Sequence, residues 1–365
     1  MVISDRLLLG PGPSNPYPEA VAAFGRPLLG HMDPEFIGIM DETMARLRTV
    51  FGTTNELTFP VSGTGSAGME ACFVNVVEPG DTVIVGANGV FGDRMCEVAR
   101  RSGADVVKIE EEWGRPLDPQ RLLDAQREHP DARVVAVVHA ETSTGVENMI
   151  APLAALQETD TLLLVDTVTS LAGIPVEIDA WGVDLSYSGT QKCLGVPPGL
   201  SPVTFSPRAV ERVKTRATPV QSWYLDVSLI AGYVGGEARV YHHTAPVAMV
   251  FALHAALGAI LEEGLDNVVA RHRAAGERLQ RELPDLGFEL VVPEGYRLPE
   301  LTTAWIPNGA DDAGLRKALL ATYGIEVGGG LGKFAGKAWR FGLMGHSARE
   351  RSVTTVLGAL RELLD

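Results

Sequence analysis

The chain has 365 residues, of which 45% are hydrophobic and 21% charged, and this is enough for a large buried core and two domains. The formal net charge of −15 argues against nucleic acid and against an anionic membrane as partners. The first residues, MVISDRLLLGPGPSNP, lack the charged and apolar regions of a signal peptide.

Cysteine usage predicts a cytoplasmic protein. The odd count of Cys72, Cys96 and Cys193 argues against a disulfide framework, and no Cys/His group has metal-ligand spacing, so no metal is expected. Cys193 is interpreted as a small packing residue. The most apolar stretch, 245–261, contains Pro246 and His254 and is interpreted as a buried helix and not as a membrane span.

The amino-terminal half alternates between predicted strands and helices. Residues 1–20 are rich in Gly, Pro and Asn and form an extended arm, since dense prolines forbid a helix. A helix with apolar residues at helical spacing follows at 34–50. Strands are predicted at 57–61, 82–85, 105–109, 133–139, 162–165, 184–187 and 200–205, with helices at 94–102, 119–128, 153–158 and 207–214. A further helix follows the turn at 62–68 and runs through Val77. Strands without polar alternation predict a mostly parallel sheet covered on both faces, with ligands beyond the carboxyl ends of the strands.

A smaller α/β domain is predicted after a long helix at 247–263. The segment 221–243 before that helix is aromatic and irregular. Strands are expected at 288–292, 301–306 and 338–343, and helices at 266–282, 313–323 and 349–364. The predicted division is therefore an arm at 1–20, a large domain at 21–258 and a small domain at 259–365.

Three features at strand ends suggest one cofactor. Ser62-Gly-Thr-Gly-Ser-Ala-Gly68 leads into a helix, whose amino terminus and glycines offer a phosphate seat. Asp166 ends the apolar strand LLLVD, where it either caps a helix or serves the site. Lys192 follows a turn after the next strand, and an isolated lysine there would normally be solvent-exposed. A phosphate seat, an acid and a desolvated lysine together are what pyridoxal phosphate requires.

The same stretches resemble the class V aminotransferases of the alanine–glyoxylate and serine–glyoxylate (serine–pyruvate) group. The resemblance covers nearly the whole chain and rests on the stretches LLLGPGPSNP, SGTGSAGMEA, NVVEPGDTVIVGANGVFGDR, HAETSTGV, LLLVDTVTSLAG, DLSYSGTQKCLGVPPGLS, SWYLD, YHHTAPV, GGLG and WRFGLMG. It implies the two-domain, type I fold of the aspartate aminotransferase superfamily, with a seven-stranded large sheet, and a homodimer whose subunits share the active sites.

The resemblance also implies residue roles for the cofactor. Lys192 would bind pyridoxal phosphate as a Schiff base, and Asp166 would pair with its ring nitrogen. Val168 and Phe91 would cover the two ring faces, although relatives often have tryptophan at the position of Phe91. Thr142 would contact the ring's phenolic oxygen. The phosphate would be held by Thr64, Gly65, Ser66 and Gln191. Tyr241 and Thr244 would reach it from the partner subunit. Relatives often have histidine at the position of Ser66.

Two further elements are implied to bind the substrate. Arg340, in Lys337-Ala-Trp-Arg-Phe-Gly, would clamp the carboxylate, a task that suits a planar guanidinium. From the residues alone, an ordinary solvent-exposed arginine on a strand is an equally good interpretation of Arg340. Gly12, in the Gly10–Pro13 arm, would line the substrate pocket.

The expected reaction is ping-pong transamination of alanine or serine with glyoxylate or pyruvate. One alternative is a cysteine desulfurase-like lyase, which needs a reactive cysteine on a flexible loop. Another is a dinucleotide-dependent oxidoreductase, because Gly63, Gly65 and Gly68 match its glycine spacing. That fingerprint expects an acidic residue after the next strand, where this chain has Gly86-Ala87-Asn88.

Overall fold

A computed structural model describes residues 4–235 and 239–364. The strands within these ranges are β1 (Leu7–Leu9), β2 (Leu57–Ser62), β3 (Thr82–Ala87), β4 (Asp105–Glu110), β5 (Val134–Val138), β6 (Ala140–Glu141), β7 (Val146–Glu147), β8 (Leu162–Asp166), β9 (Leu185–Tyr187), β10 (Leu200–Phe205), β11 (Glu289–Leu290), β12 (Leu301–Trp305), β13 (Ile325–Gly329) and β14 (Ala338–Gly342). The α-helices are α1 (Pro18–Ala23), α2 (Pro34–Phe51), α3 (Gly65–Val76), α4 (Val90–Arg101), α5 (Pro119–Glu128), α6 (Pro207–Lys214), α7 (Val227–Val234), α8 (Val247–Glu263), α9 (Leu265–Glu282), α10 (Asp312–Ala318) and α11 (Glu350–Leu364).

The larger sheet has seven strands in the order β2-β10-β9-β8-β5-β3-β4 and confirms the predicted fold class. All neighbours are parallel except β10, which is antiparallel to both β2 and β9. Every residue of β5, β8 and β9 is buried, so these strands are covered on both faces. Their register places Val138, Asp166 and Tyr187 side by side at the carboxyl edge.

Local signals explain where several helices begin. Asp33, Asp118 and Ser206 accept hydrogen bonds from the first turns of α2, α5 and α6. Each of these helices then has proline in its first turn, where a missing N–H has no cost.

The smaller sheet has the order β1-β13-β14-β12-β11 and its own hydrophobic core, which includes Trp339 and Phe341. Its edge strand β1 comes from the amino-terminal arm and runs parallel to β13. The arm therefore belongs partly to the second sheet. It also ends earlier than predicted, because Pro18 occupies the first turn of α1. Residues 1–3 of the arm lie outside the described residues.

Two other parts of the chain differ from the sequence prediction. The segment 221–243 contains α7, which begins after the Asp226 cap and buries Val227 and Ile230 against the larger core; residues 236–238 are outside the described ranges. β13 and the β6–β7 hairpin were not predicted, because IEVGG and two-residue strands carry little periodic signal.

The helix α8 ends at Glu263 as predicted, and the larger core includes residues as far as Val268. Apart from Leu9 of β1, the residues of the second core follow from Ala275 in α9 onward. The division of the domains at residue 258 stays a prediction. Within residues 4–235 and 239–364 no single helix is long and apolar enough to span a membrane, and only α8 with the following Leu265–Leu286 passes that test, across an 86° bend.

Candidate active site

Asp166 ends β8 at the carboxyl edge of the larger sheet, fully within the protein. Its Oδ2 accepts a hydrogen bond of 2.6 Å from the Tyr187 hydroxyl, and its Oδ1 accepts one of 2.8 Å from the Val168 N–H. Burial raises the pKa of Asp166 to about 6, against the opposing effect of these hydrogen bonds. In the described chain turns follow Asp166, not a helix, so the residue is not a helix cap.

Lys192 follows the turn after β9 and is only 8% exposed, so a solvent-exposed lysine is excluded. Its Nζ donates a hydrogen bond to the carbonyl oxygen of Pro11. Burial, and then the positive charge of Arg340, lower the pKa of Lys192 to about 8. An amine with this pKa is partly unprotonated near neutrality and can therefore act as a nucleophile or a base.

The amino-terminal arm closes over Lys192. The Ser14 N–H donates to the Gln191 carbonyl at 2.9 Å, and the Ser14 hydroxyl donates to the Lys192 carbonyl at 2.7 Å. Gly12 has φ of +107°, and a Cβ at this position would lie 2.7 Å from the Lys192 Nζ. The arm can approach the amine this closely only because Gly12 has no side chain.

The predicted phosphate seat lies at the amino terminus of α3, which no side chain within the described structure caps. Thr64 and Ser66 are exposed there, and Gly65 is buried between them. A Cβ on Gly65 would lie 3.1 Å from Val168 Cγ2, which brings the seat against the loop after Asp166. Free N–H groups at a helix amino terminus favour a phosphate.

Gln191 completes this side of the site. A Cβ on Gly189 would lie 3.0 Å from the Gln191 Oε1 and 3.4 Å from Val168 Cγ1. The Gln191 Oε1 is buried and has no hydrogen-bond partner among residues 4–235 and 239–364. A buried acceptor without a partner costs free energy, and a ligand that donates a hydrogen bond to this oxygen would remove that cost.

Phe91 and Thr142 lie on two further elements, the first turn of α4 and the β6–β7 turn. Phe91 is partly buried in the first turn of α4, and the guanidinium carbon of Arg94 lies 4.9 Å from its ring centroid. Thr142 is buried in the turn between β6 and β7. Its carbonyl accepts a hydrogen bond of 3.2 Å from Arg340 Nη1, which joins Thr142 to the smaller sheet.

Arg340 projects from β14 and is only 6% exposed, so it is not an exposed strand arginine. Its Nε donates to the Gly329 carbonyl at 2.9 Å. Burial lowers the pKa of Arg340 to about 10, and the nearby Glu141 opposes this effect. No carboxylate of the described chain forms an ion pair with Arg340. A carboxylate ligand would supply the missing partner.

The structure does not bring Tyr241 and Thr244 into this site from the same chain. Tyr241 is 59% exposed and its ring lies 5.2 Å from that of His31, while Thr244 is exposed nearby. Their roles at a partner's phosphate stay a prediction.

Three contributors to the site were absent from the sequence prediction. The Tyr187 hydroxyl donates a hydrogen bond to Asp166. The contact follows from the strand pairing, because the two residues lie opposite each other in the register of β8 and β9. Glu141 lies one residue before Thr142 and accepts hydrogen bonds from α4. The Pro11 carbonyl has no signal in the sequence, because only the folded arm brings it to the lysine.

The residues present fit pyridoxal phosphate. A buried amine, a buried carboxylate and a glycine-lined helix terminus all lie at or after the ends of strands of the larger sheet, and Lys192, Asp166 and the Gly63–Ser66 turn would hold the aldehyde carbon, the ring nitrogen and the phosphate. The fold and these groups define a pyridoxal-phosphate-dependent enzyme.

Comparison with known proteins identifies the family. The family model described as aminotransferase class-V matches residues 16–335. Alanine–glyoxylate aminotransferase from Callithrix jacchus is 41% identical, over 99% of this chain and 88% of the relative. (S)-Ureidoglycine–glyoxylate transaminase from Bacillus subtilis is 37% identical, over 98% and 90%. The crystal structure of alanine–glyoxylate aminotransferase from Nostoc sp. has a TM-score of 0.97 and 49% identity, covering 100% of this chain and 97% of that one. The chain belongs to the class V aminotransferases.

The cysteines oppose the desulfurase alternative. Cys193 is buried, its thiol lies 3.2 Å from the Thr169 carbonyl, and burial raises its pKa well above the ordinary value. Cys72 and Cys96 are buried as well. A thiol that stays protonated and enclosed is a poor nucleophile. The dinucleotide alternative is wrong, since the chain is a class V aminotransferase and Asn88 is occupied by hydrogen bonds to Arg115 and Asn148.

Proposed function

We propose that this aminotransferase transfers the amino group of alanine or serine to glyoxylate or pyruvate by a ping-pong mechanism. The observation that carries the proposal is the enclosure of the Lys192 amine by the Pro11–Gly12 backbone, with the positive charge of Arg340 near enough to lower the pKa of that amine. Relatives similar over nearly the whole chain are named alanine–glyoxylate aminotransferases, which supports glyoxylate as an acceptor.

Each residue of this pocket has a defined task. Bound pyridoxal phosphate supplies the electron sink that makes the Cα proton of an amino acid labile. Arg340 would bind the α-carboxylate in a bidentate fork and so orient the Cα–H bond. The Lys192 amine would remove that proton as a general base and then donate it, as a general acid, to the aldehyde-derived carbon of the cofactor. Asp166 would hold the proton on the ring nitrogen.

The walls of the pocket favour a small donor. The arm leaves no room for even a Cβ at Gly12, and Arg340 is fixed by the Gly329 and Thr142 carbonyls. We therefore expect the site to accept a short side chain such as that of alanine or serine. A long or charged side chain would have to displace the arm from Lys192.

Steady-state kinetics test the proposal. Alanine, serine, aspartate and phenylalanine are compared as donors, each with glyoxylate and pyruvate. The proposal expects parallel double-reciprocal lines and a kcat/KM for alanine or serine at least about 100-fold above that for the larger donors. Intersecting lines, or a preference for aspartate or phenylalanine, would contradict it. Lys192→Ala should abolish turnover and the borohydride-reducible visible band together, whereas the control Lys214→Ala, on the exposed end of α6, should keep both.

We further propose that the enzyme is a cytoplasmic homodimer with shared active sites. Large apolar side chains are exposed around the segment before α8, among them Trp223 at 62% and Val240 at 62%. An exposed patch of this kind favours association with another protein surface. The three cysteines are all free thiols, which suits a reducing compartment.

A further inference from the structure

Glu141 is a buried carboxylate to which the chemistry above assigns no task. It is fully buried, and four donors surround its two oxygens. Its Oε2 accepts hydrogen bonds from the Phe91 and Gly92 N–H groups at 3.1 and 3.3 Å. Its Oε1 accepts bonds from the Ser143 N–H at 3.0 Å and the Ser143 hydroxyl at 2.6 Å.

These bonds join two elements that carry site residues. The Val90 N–H donates to the Ser143 hydroxyl at 2.9 Å, so the first turn of α4 is bound both to Glu141 and to Ser143. A Cβ on Gly89 would lie 2.4 Å from both Glu141 Cδ and Ser143 Oγ, which shows how closely the turn approaches. Glu141 thus clamps the turn that bears Phe91 to the loop that bears Thr142.

Neutral packing does not explain a carboxylate at this position. No lysine, arginine or histidine of the described residues forms an ion pair with Glu141, and a buried charge without such a partner is costly. Only a side chain whose two terminal atoms both accept hydrogen bonds can satisfy the donors of α4 and those of Ser143 together. Glutamine would turn its NH₂ toward one pair of donors, so the clamp requires the ionised carboxylate. Burial raises the pKa of Glu141 to about 7, and the hydrogen bonds from Ser143 and Gly92 oppose this effect by favouring the ionised form.

We propose that Glu141 is a positioning residue of this aminotransferase, which fixes the ring of Phe91 relative to Thr142 and so sets the seat of the cofactor ring. The proposal rests on the predicted stacking role of Phe91. It assigns Glu141 no contact with substrate or cofactor, and its effect passes through the α4 turn.

The variant Glu141→Gln tests the proposal, with Glu147→Gln as the matched control. Glu147 lies in the same hairpin but near Arg273, away from α4. Affinity for pyridoxal phosphate is measured on the cofactor-free protein by fluorescence quenching, and the setting of the ring by visible circular dichroism. Glu141→Gln should weaken binding about tenfold and reduce the visible dichroism. Glu147→Gln should change neither quantity.

A double-mutant cycle separates positioning from stability. If Glu141 acts through the Phe91 ring, Glu141→Gln made in a Phe91→Ala background should change cofactor affinity less than about twofold. An equal loss of affinity in both backgrounds, or wild-type affinity and dichroism in Glu141→Gln, overturns the proposal. Should Glu141→Gln not fold, Ser143→Ala removes one donor and must show the same loss on a smaller scale.

The cycle also distinguishes this proposal from its premise. If Phe91→Ala alone leaves the affinity for pyridoxal phosphate unchanged, the stacking role of Phe91 fails, and the proposal falls with it. If Phe91→Ala weakens binding but Glu141→Gln does not, only the positioning role of Glu141 is wrong. Substrate preference enters neither measurement, so the proposed donor and acceptor are tested separately.

Discussion

The buried carboxyl group of Asp166 accepts two hydrogen bonds from the described part of the chain, one from the Tyr187 hydroxyl and one from the Val168 N–H. Burial raises the pKa of Asp166 from 3.8 to about 6. Between these values the folded protein without cofactor holds a proton that the unfolded chain releases. The free energy of unfolding therefore falls as the pH rises through this window, by roughly 3 kcal/mol.

Above pH ~6 the carboxyl group of Asp166 is ionised, and a protonated ring nitrogen beside it should stabilise that charge. Bound cofactor should therefore restore the free energy of unfolding that the cofactor-free protein loses as the pH rises. We expect pyridoxal phosphate to raise the melting temperature more at pH 7 than at pH 5. In Asp166→Asn the cofactor-induced rise in melting temperature should differ less between pH 7 and pH 5. Glu141 and Lys192 also titrate, but both proteins contain them, so their effect cancels in the comparison. Scanning calorimetry with and without cofactor measures the effect. An unchanged pH dependence in Asp166→Asn would contradict the pairing.

The amino-terminal arm connects the smaller sheet to the lysine of the larger one. β1 pairs with β13, and five residues farther on Ser14 is bonded to the backbone of Gln191 and Lys192. The arm is held at both ends, so Pro11 and Gly12 cannot move away from the amine without breaking these bonds.

Gly12→Ala should therefore damage the site directly. The new Cβ would lie 2.7 Å from the Lys192 Nζ, at a φ of +107° that alanine rarely adopts. We expect kcat/KM to fall at least about tenfold. Gly10→Ala is the control, because its Cβ would meet its nearest neighbour at 3.5 Å, and it should retain nearly full activity. Equal kinetics for the two variants would show that the close approach has no consequence.

Helix α3 can reach the sheet only because Gly68 has no side chain. A Cβ on Gly68 would lie 2.1 Å from Ser201 Oγ and 2.9 Å from Tyr187 Cβ. Gly68→Ala should lower the free energy of unfolding by about 1–3 kcal/mol, since the sheet must shift. Gly358→Ala, in the interior of α11 with no atom within 4 Å of the new Cβ, should raise it by about 0.5–1 kcal/mol. Urea denaturation of both variants checks the opposite signs.

At the scale of the whole molecule, Tyr241 and Thr244 are exposed on the surface of their own chain. If a partner's phosphate is their target, a hybrid of Lys192→Ala and Tyr241→Phe chains contains one intact site, built from the lysine of one chain and the tyrosine of the other.

Such hybrids should recover activity. The two variants are co-refolded, and the activity of the mixture is compared with the mean of the separate proteins. Recovery above that mean is expected, because the Lys192→Ala chain still supplies Tyr241. Two Lys192→Ala preparations mixed in the same way are the control. A mixture that gives only the mean would show that each site is complete within one chain.

Much of this protein could be predicted from its sequence. The strand before Asp166 is an uninterrupted apolar run, and α5 and α6 begin and end as predicted because a capping side chain and a proline mark the start of each helix. Helix α8 also has the predicted bounds, between Pro246 and Gly264. The secondary structure that was missed is weakly marked. β13 is glycine-rich, α7 is one short helix in an aromatic segment, and β1 gains its strand conformation only by pairing with a distant edge.

The sequence by itself determined the fold class and the cofactor, since a phosphate seat, an acid and a lysine that each end or follow a strand leave few alternatives. The reaction was implied by the resemblance to a known family. Only the tertiary structure decided that Tyr187 holds Asp166, that the Pro11 carbonyl binds Lys192, and that Glu141 joins α4 to the loop of Thr142. The physical reason is distance along the chain. Periodicity and capping are local, whereas these contacts join residues up to 181 positions apart and exist only once both sheets have formed.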